Sequence, residues 1–442
     1  MTIQQDRSYH PLFWLILVHA LYVGVALHIQ GFYLIDSYGY AMQADNMIAN
    51  GSWYAEDWNA PLLVDYFSIR PPLYAALIVL FRLFSASVIP LLFLQNIISI
   101  SSCWMVYRFG VRQGFDSKIT RRLFIAAVVL YPAQMIHANF VMTEIVFQFW
   151  LVCILITLYN FTQGPTRKGS LSIAVLLALC LLTKPVSLFL PLIVWTFMLW
   201  FSIKQKTSWR LLAPQLLVVL TFQGICLQNQ HATGYYHYSS IKSINQLKYN
   251  ARYALIAANG EEYADSTVAA IMKQANAATD YGERLRIMND EANNIIFNNP
   301  IAFAKVYAKG VVAFCIDPGR FDVFHFFAIE EKGTLGLMHE MQTKGMSALG
   351  EYMQKAPVGV LLLLLLSLLW NITVVCLFGY GIVRMHNQTL RNMVFVLVAY
   401  IALATGPVGV SRYRVPVFPF LLIGVLCASH IIAQRKSSFN HA

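Results

Sequence analysis

The chain has 442 residues, of which 58% are hydrophobic and 12% are charged. Its mean hydropathy of +0.56 lies outside the range of soluble globular domains and excludes that class. The net charge of +11 does not indicate a nucleic-acid partner, because the basic residues lie at the ends of apolar segments rather than in one patch interleaved with aromatic residues. The composition indicates a polytopic membrane protein.

The apolar segments of the chain are long enough to be membrane spans. A helix of about 18 or more apolar residues crosses a hydrocarbon core of roughly 30 Å with its backbone hydrogen bonds satisfied internally. We therefore predict an all-α polytopic membrane protein with about ten transmembrane helices. The predicted spans are residues 12–29, 88–107, 123–135, 145–159, 171–182, 186–203, 211–227, 357–383, 393–408 and 415–433.

The distribution of basic residues predicts the orientation of these spans. Short cytoplasmic connections of membrane proteins carry an excess of Lys and Arg. Such residues cluster here in the connections around 108–122, 167–168, 204–210 and 384–391, which we place in the cytoplasm. Residues 230–355 hold more than half of the 21 acidic residues and are predicted to form a small, mainly helical region on the outer side.

The first outer loop, residues 31–86, is rich in Trp and Tyr, as expected for a segment at the level of the lipid headgroups. Residues 37–50 have helical composition, with Asp36 or Ser37 as the predicted N-cap and Gly51 as the predicted stop. The apolar stretch 72–84 is short for a span and is predicted to be a second juxtamembrane or re-entrant helix. The loop is therefore expected to lie along the membrane surface.

The predicted topology places seven ionisable residues from separate loops on one side of the membrane. Charged groups at or within spans are costly, so they usually mark a pathway or a site. Their convergence on one side favours a functional site. The residues are Asp36, Asp45, Arg70, Glu144, Lys184, Arg412 and Arg414.

Short motifs surround these residues in a fixed order along the chain. In these motifs the chain resembles the GT-C superfamily, the polytopic glycosyltransferases that use polyprenyl-phosphate sugars. Within that superfamily it resembles the bacterial aminoarabinose transferases and protein mannosyltransferases, over residues 12–205 and 391–433. The motifs are Asp36-Ser37-Tyr38-Gly39-Tyr40-Ala41, Arg70-Pro71-Pro72-Leu73-Tyr74, Thr143-Glu144, Leu182-Thr183-Lys184-Pro185 and Ser411-Arg412-Tyr413-Arg414-Val415-Pro416.

The resemblance implies a mechanism of inverting transfer. A carboxylate takes the proton of the acceptor hydroxyl while its oxygen attacks the anomeric carbon, and the lipid phosphate departs. Asp36 is the expected base, and Glu144 is expected to orient the acceptor, a cation or the sugar. Cationic groups stabilise the leaving phosphate, with Arg favoured for its planar fork. These are Arg70, Lys184, Arg412 and Arg414, with Tyr40, Asp45, Tyr74 and Tyr413 as further substrate contacts.

The resemblance also implies partners and a location. The donor is a polyprenyl-phosphate-linked sugar, and the acceptor is a glycan, a lipid or a protein. Residues 1–229 would form an N-terminal transmembrane catalytic module, and residues 356–442 would form the C-terminal transmembrane helices. The expected location is the bacterial inner membrane, with the active site facing the periplasm. A divalent cation stays open as a cofactor, because Ser37 stands where many relatives carry a second acid.

Two other functions are compatible with the sequence. A transporter or flippase of an anionic or lipid-linked substrate would place its charges near the bilayer midplane along broken helices. An O-antigen polymerase or ligase would depend on a large late outer loop, here residues 230–355. Structural roles are also open for single residues. Asp36 could cap a helix, Arg70 could anchor the loop to lipid headgroups, and Glu144 could pair with Lys184 to join two spans.

Overall fold

The computed structural model describes residues 10–329 and 358–440, with side chains up to residue 436. Every regular element in these residues is helical. The α-helices are α1 (His10–Ile29), α2 (Ile35–Ala49), α3 (Leu73–Arg82), α4 (Ile89–Arg112), α5 (Lys118–Val129), α6 (Pro132–Ala138), α7 (Glu144–Gln163), α8 (Arg167–Thr183), α9 (Leu190–Lys204), α10 (Leu216–Thr233), α11 (Ile241–Asn245), α12 (Arg252–Asn259), α13 (Glu261–Asn276), α14 (Tyr281–Asn298), α15 (Pro300–Ile316), α16 (Arg320–Phe326), α17 (Val358–Arg384), α18 (Gln388–Ala404), α19 (Ser411–Arg414) and α20 (Phe418–Asn440). Short 3-10 turns are Val64–Phe67, Pro185–Phe189, Trp209–Gln215, Gly406–Val408 and Val415–Val417, and Gln246–Ala251 is a π turn.

The long apolar helices confirm the prediction of an all-α polytopic membrane protein. Within the described residues, seven segments are long and apolar enough to cross a membrane, or nine if each of two bent helix pairs counts as one span. The predicted number of about ten also included α8 and α18, which have 17 residues each. The seven segments are His10–Ile29, Ile89–Arg112, Glu144–Gln163, Pro185–Lys204, Trp209–Thr233, Val358–Arg384 and Ser411–Lys436.

Proline explains the breaks between consecutive helices. A proline cannot donate a backbone hydrogen bond, and it moves the preceding residue away from helical torsions. Tyr131, before Pro132, has φ −113° and ψ 80°, and α5 meets α6 there at 55°. Asn299 precedes Pro300 at the 99° bend between α14 and α15. Lys184 is extended before Pro185, which confirms the break predicted at that position.

The first outer loop contains the two predicted helices, α2 and α3. The N-cap prediction was wrong, because α2 begins at Ile35 and its N-cap is Leu34. The Ser37 hydroxyl instead accepts a hydrogen bond from the Leu34 N–H at 2.9 Å, which leaves the Asp36 carboxylate available for other partners. The helix ends at Ala49, just before Gly51, whose φ of +61° suits glycine.

The last span lies at the centre of the helical bundle. In the apolar part of that span, Ser411–Lys436, 83% of the residues are buried, against 22% in α1. Close packing against α17 requires glycine, since a Cβ at Gly381 would lie 2.0 Å from the Gly424 carbonyl oxygen. The N-terminal end of this central span carries Arg412, so the packing of the bundle core fixes the position of that residue along the span axis.

The described part of residues 230–355 forms a small helical layer over the first loop. Its own core includes Leu247, Leu285 and Met288, which come from the π turn and α14. The layer is fastened to the loop by Arg284, whose two terminal nitrogens donate to the two oxygens of Asp65 at 2.6 and 2.8 Å. The remainder of the predicted outer region, residues 330–355, lies outside the described residues.

Arg414 joins the last span to the end of α15. Its guanidinium donates to the carbonyl oxygens of Phe314 at 3.0 Å, Asp317 at 3.0 Å and Cys315, and to the Tyr131 hydroxyl at 3.2 Å. A helix end leaves its last carbonyls without partners, and this arginine satisfies them. Because the residue is only 2% exposed, water has little access to replace it.

We expect Arg414→Met to lower the melting temperature of the purified protein strongly. Each buried carbonyl left without a donor costs about 1–3 kcal/mol. The control is Arg384→Met, which changes an exposed arginine at the end of α17 and should leave the melting temperature nearly unchanged. Equal melting temperatures for the two variants would contradict the structural role of Arg414.

Candidate active site

Five of the seven charged residues from the sequence analysis form one connected network, here called the ionic cluster: Asp36, Arg70, Glu144, Lys184 and Arg412. Arg412 is its centre. Its Nη1 lies 2.6 Å from Asp36 Oδ2, and its Nε lies 2.6 Å from Glu144 Oε1. Arg70 Nη2 is 3.1 Å from Asp36 Oδ1, and Lys184 Nζ is 2.7 Å from Glu144 Oε1. Three cationic side chains therefore share two carboxylates, and the five residues come from four separate loops of the chain.

Helix α2 holds the loop that returns to Arg70. The Gln43 side-chain amide donates to the carbonyl oxygens of Trp53 and Arg70, each at 3.0 Å. One turn further on, the Asn46 amide donates to the carbonyl oxygens of Tyr54 and Glu56, each at 2.8 Å. Both amides are buried, so their bonds fix the loop backbone against the helix that carries Asp36.

The guanidinium of Arg70 packs against α2. It is 4.4 Å from the centre of the Tyr40 ring, a cation–π distance. A Cβ at Gly39 would lie 2.7 Å from Arg70 Nε, so only glycine allows this approach. The motif around Asp36 therefore supplies both the carboxylate and the surface on which its arginine partner rests.

The charges of the ionic cluster do not cancel. Three cationic side chains meet two carboxylates, which leaves one excess positive charge. Burial raises the pKa of Asp36, but Arg412 and Arg70 outweigh it and hold that pKa below its ordinary value. Burial lowers the pKa of Arg70, but Tyr40 and Asp36 outweigh it and raise that pKa. Both groups are therefore ionised at neutral pH.

Two buried atoms of the ionic cluster retain hydrogen-bonding capacity. Glu144 Oε2 and Arg70 Nε have no hydrogen-bond partner within the described residues. Buried polar atoms normally have a hydrogen-bond partner.

The two carboxylates of the ionic cluster differ in access, because the side chain of Asp36 is 35% exposed and that of Glu144 is 0% exposed. Asp36 is therefore accessible from outside the protein, and Glu144 is not.

The other predicted site residues lie at different distances from the ionic cluster. Tyr40 contacts Arg70, and its ring packs edge-on against that of Tyr74 at 5.0 Å. Tyr74 is fully buried and donates from its hydroxyl to Gln95 at 2.6 Å, which makes it a core residue. Tyr413 lies next to Arg412, whose guanidinium is 5.7 Å from the centre of its ring.

Two predicted site residues lie outside the ionic cluster. Asp45 forms an ion pair with Arg82 of α3, and the Asp45 side chain is 52% exposed. Arg414 directs its guanidinium to the carbonyls that end α15, as described above. Substrate contact by Asp45 and phosphate binding by Arg414 stay predictions.

The sequence analysis missed a second buried group beside Arg412. Asp322 Oδ2 accepts a hydrogen bond from the Ser411 hydroxyl at 2.6 Å and lies 3.2 Å from His137 Nε2. Asp317 Oδ2 accepts from the Ser411 N–H at 2.6 Å. The sequence offered one signal, which is two aspartates, Asp317 and Asp322, around a Pro-Gly turn after an apolar segment. This signal did not indicate which residues the aspartates contact.

The residues of the ionic cluster do not fit a divalent cation. Both oxygens of Asp36 and one of Glu144 are bound to cationic side chains, which would repel a metal ion. Across the part of the chain that the structure describes, no group of three or more His, Cys, Asp or Glu side chains could hold a metal ion.

Comparison with known proteins gives a similarity to solved structures but none to known sequences. No protein-family model matches the chain, and no curated protein sequence matches it. The chain is similar to the crystal structure of ArnT from Cupriavidus metallidurans bound to undecaprenyl phosphate, with 15% sequence identity and a TM-score of 0.36. The similarity covers 96% of this chain and 78% of that chain. The TM-score is too low to establish a shared fold.

We expect Gly39→Ala to weaken the contact between Arg70 and Asp36. The added methyl group would lie 2.7 Å from Nε and 2.9 Å from Nη2 of Arg70, so the guanidinium must shift away from α2. The measurement is a double-mutant cycle on thermal unfolding, in which Asp36→Asn should cost less stability in the Gly39→Ala background than in the wild type.

The matched control for this cycle is Gly24→Ala. Gly24 lies in α1, and a Cβ there would meet nothing within 4 Å. In the Gly24→Ala background, Asp36→Asn should cost as much as in the wild type. Additive effects of Gly39→Ala and Asp36→Asn would contradict the arrangement of Arg70 over Gly39.

Proposed function

We propose that the protein is an integral-membrane glycosyltransferase of the GT-C type. It would transfer a sugar from a polyprenyl-phosphate donor to a glycan, lipid or protein acceptor on the outer side of a bacterial cytoplasmic membrane. The ionic cluster carries the proposal: the residues that resemble the family's motifs, from four separate parts of the chain, meet in one network of three cations and two carboxylates.

The excess positive charge of the ionic cluster suits a phosphate. Arg70 and Arg412 each present a planar guanidinium, which can bond two phosphate oxygens at once and stabilise the negative charge that develops as the phosphate leaves. Lys184 adds a third cation, which contacts the same oxygen of Glu144 as Arg412 does. The five residues thus provide the charge that a departing polyprenyl phosphate requires.

The surroundings of Arg70 suit a lipid tail. Helix α3 begins three residues after Arg70 and buries Tyr74, Ala75 and Ile78 against the protein. Leu83 and Phe84, at its far end, are 71% and 82% exposed. An amphipathic helix of this kind lies in the membrane interface with its apolar face toward the acyl chains. A polyprenyl chain would lie along it while its phosphate reaches Arg70.

Asp36 is the proposed base because an acceptor can reach it, whereas Glu144 is enclosed. With both oxygens bound to arginines, the pKa of Asp36 is low, which keeps it ionised but makes it a weak base. A donor phosphate would compete with Asp36 for Arg70 and Arg412. As these arginines turn to the phosphate, the pKa of Asp36 would rise toward its ordinary value, so donor binding would strengthen the base.

The helix ends support a site on the outer side. Glu144 begins α7, Lys184 follows the end of α8, and Arg412 opens the last span. At the opposite ends of these spans lie Arg167 and Arg435, which agrees with the cytoplasmic excess of basic residues. A site at span ends also differs from the midplane site of a transporter.

Transfer by the purified protein in lipid nanodiscs tests this function. A panel of polyprenyl-phosphate sugars is offered with acceptors, and release of polyprenyl phosphate is measured. Removal of a general base typically costs 10²- to 10⁴-fold in rate, so Asp36→Asn should lose about that much turnover. Asp57→Asn is the matched control, because it removes an exposed carboxylate from the same loop and should retain the wild-type rate.

Two results would contradict the proposal. Wild-type turnover in Asp36→Asn would remove the assigned base. Failure of the wild type to release polyprenyl phosphate from any donor would reject the reaction itself.

A further inference from the structure

We infer that Asp322 is a positioning residue that holds Arg412 in the active site through Ser411, with His137 and Asp317 completing the support. The inference rests on the proposed function for its effect on catalysis. It adds to the ionic cluster a second set of residues, which are His137 of α6 and the aspartates Asp317 and Asp322 of the segment 317–322 after α15.

The helical turn that carries Arg412 depends on tertiary contacts. Helix α19 has four residues, and one isolated helical turn has little intrinsic stability. Its first residue, Ser411, is held by two aspartates, and its last residue, Arg414, is held by the carbonyls at the end of α15. Arg412 lies between these two attachments and points to the ionic cluster. Its position is therefore set by the segment that ends α15.

Asp322 is an unusual residue to bury. It is 4% exposed, and a buried carboxylate is costly unless it is paired and hydrogen-bonded. The fully buried His137 lies 3.2 Å away, and the Ser411 hydroxyl donates to the same carboxylate oxygen at 2.6 Å. Burial raises the pKa of Asp322, but His137 and Ser411 outweigh it and lower that pKa. The protein therefore retains a charge that directly contacts the residue preceding Arg412.

Glycines allow this close attachment. Gly319 has φ +79°, and a Cβ on it would lie 2.9 Å from the Ser411 hydroxyl oxygen. On the other side, a Cβ on Gly409 would lie 1.7 Å from the carbonyl oxygen of Gly310 in α15. The backbone around Ser411 therefore packs directly against α15 and against the segment 317–322 that follows it. Small displacements of the segment after α15 would pass directly to Arg412.

A positioning role differs from a purely structural one in how its effects combine. If Asp322 acts through Arg412, removal of Asp322 should lower kcat/KM only in a protein that still has Arg412. If Asp322 only stabilises the fold, its removal should have the same effect in either background. Misplacement of a catalytic group by about 1 Å can cost on the order of 100-fold in rate, so the effect is measurable.

The experiment uses the full chain in nanodiscs and compares Asp322→Asn, Arg412→Lys and the double variant. Asp322→Asn should lower kcat/KM for transfer about tenfold or more in the wild-type background and should have little further effect in the Arg412→Lys background. Equal fold losses in both backgrounds would overturn the inference.

Ser411→Ala tests the link between the two residues, with Ser429→Ala as its matched control. Both serines are buried in or beside the last span, and the Ser429 hydroxyl donates to the Leu426 carbonyl at 2.9 Å, away from the ionic cluster. Ser411→Ala should lower kcat/KM about tenfold, and Ser429→Ala should leave it unchanged. Equal rates for the two variants would overturn the inference.

The same variants separate failure of the inference from failure of the proposed function. If the wild type transfers no sugar, the proposed function fails, and the cycle is then measured as melting temperatures. A shift for Asp322→Asn that is smaller in the Arg412→Lys background still supports the coupling of Asp322 to Arg412. Additive shifts would reject that coupling whatever reaction the site performs.

Discussion

The double ion pair of Arg412 is the interaction on which the rest of the site depends. One guanidinium bonds Asp36 in the first outer loop and Glu144 at the start of α7, so it ties the loop to the centre of the bundle. Glu144 is fully buried, and a buried carboxylate is stable only with its partners in place. Removal of Arg412 would leave two separate ion pairs, Asp36 with Arg70 and Glu144 with Lys184. Arg412 therefore makes one connected cluster of the five residues.

The outer region supports both arginines of the ionic cluster. The loop before Arg70 is fastened by Asp65 to Arg284, and by the Ser68 hydroxyl to His237 at 2.7 Å. Arg412 depends on the segment after α15. Within the described residues, these helices therefore hold both the loop before Arg70 and the helical turn that carries Arg412. A mobile phosphate-bearing lipid would meet a preorganised pair of guanidinium groups.

The sequence predicted the spans, the helices of the first loop and the meeting of charges at one site, because each left a local signal. Apolar length indicated the spans, proline indicated the break at Lys184, and short motifs marked Asp36, Arg70, Glu144 and Arg412. The direction in which each side chain points left no such local signal in the sequence.

Arg412 and Arg414 illustrate this limit. They are two residues apart and chemically identical, but in a helical turn they point in different directions. One joins the ionic cluster and the other caps α15. Asp322 was also missed, because its partners His137 and Ser411 are distant in sequence and become neighbours only when α6, α16 and α19 pack together.

The most direct test of the account is an experimental structure of the full chain with a polyprenyl phosphate bound. The account predicts phosphate oxygens at about 3 Å from the guanidinium groups of both Arg70 and Arg412, with the bond from Arg412 to Asp36 lengthened. A phosphate bound elsewhere on the protein, with Arg412 still holding both carboxylates, would contradict it.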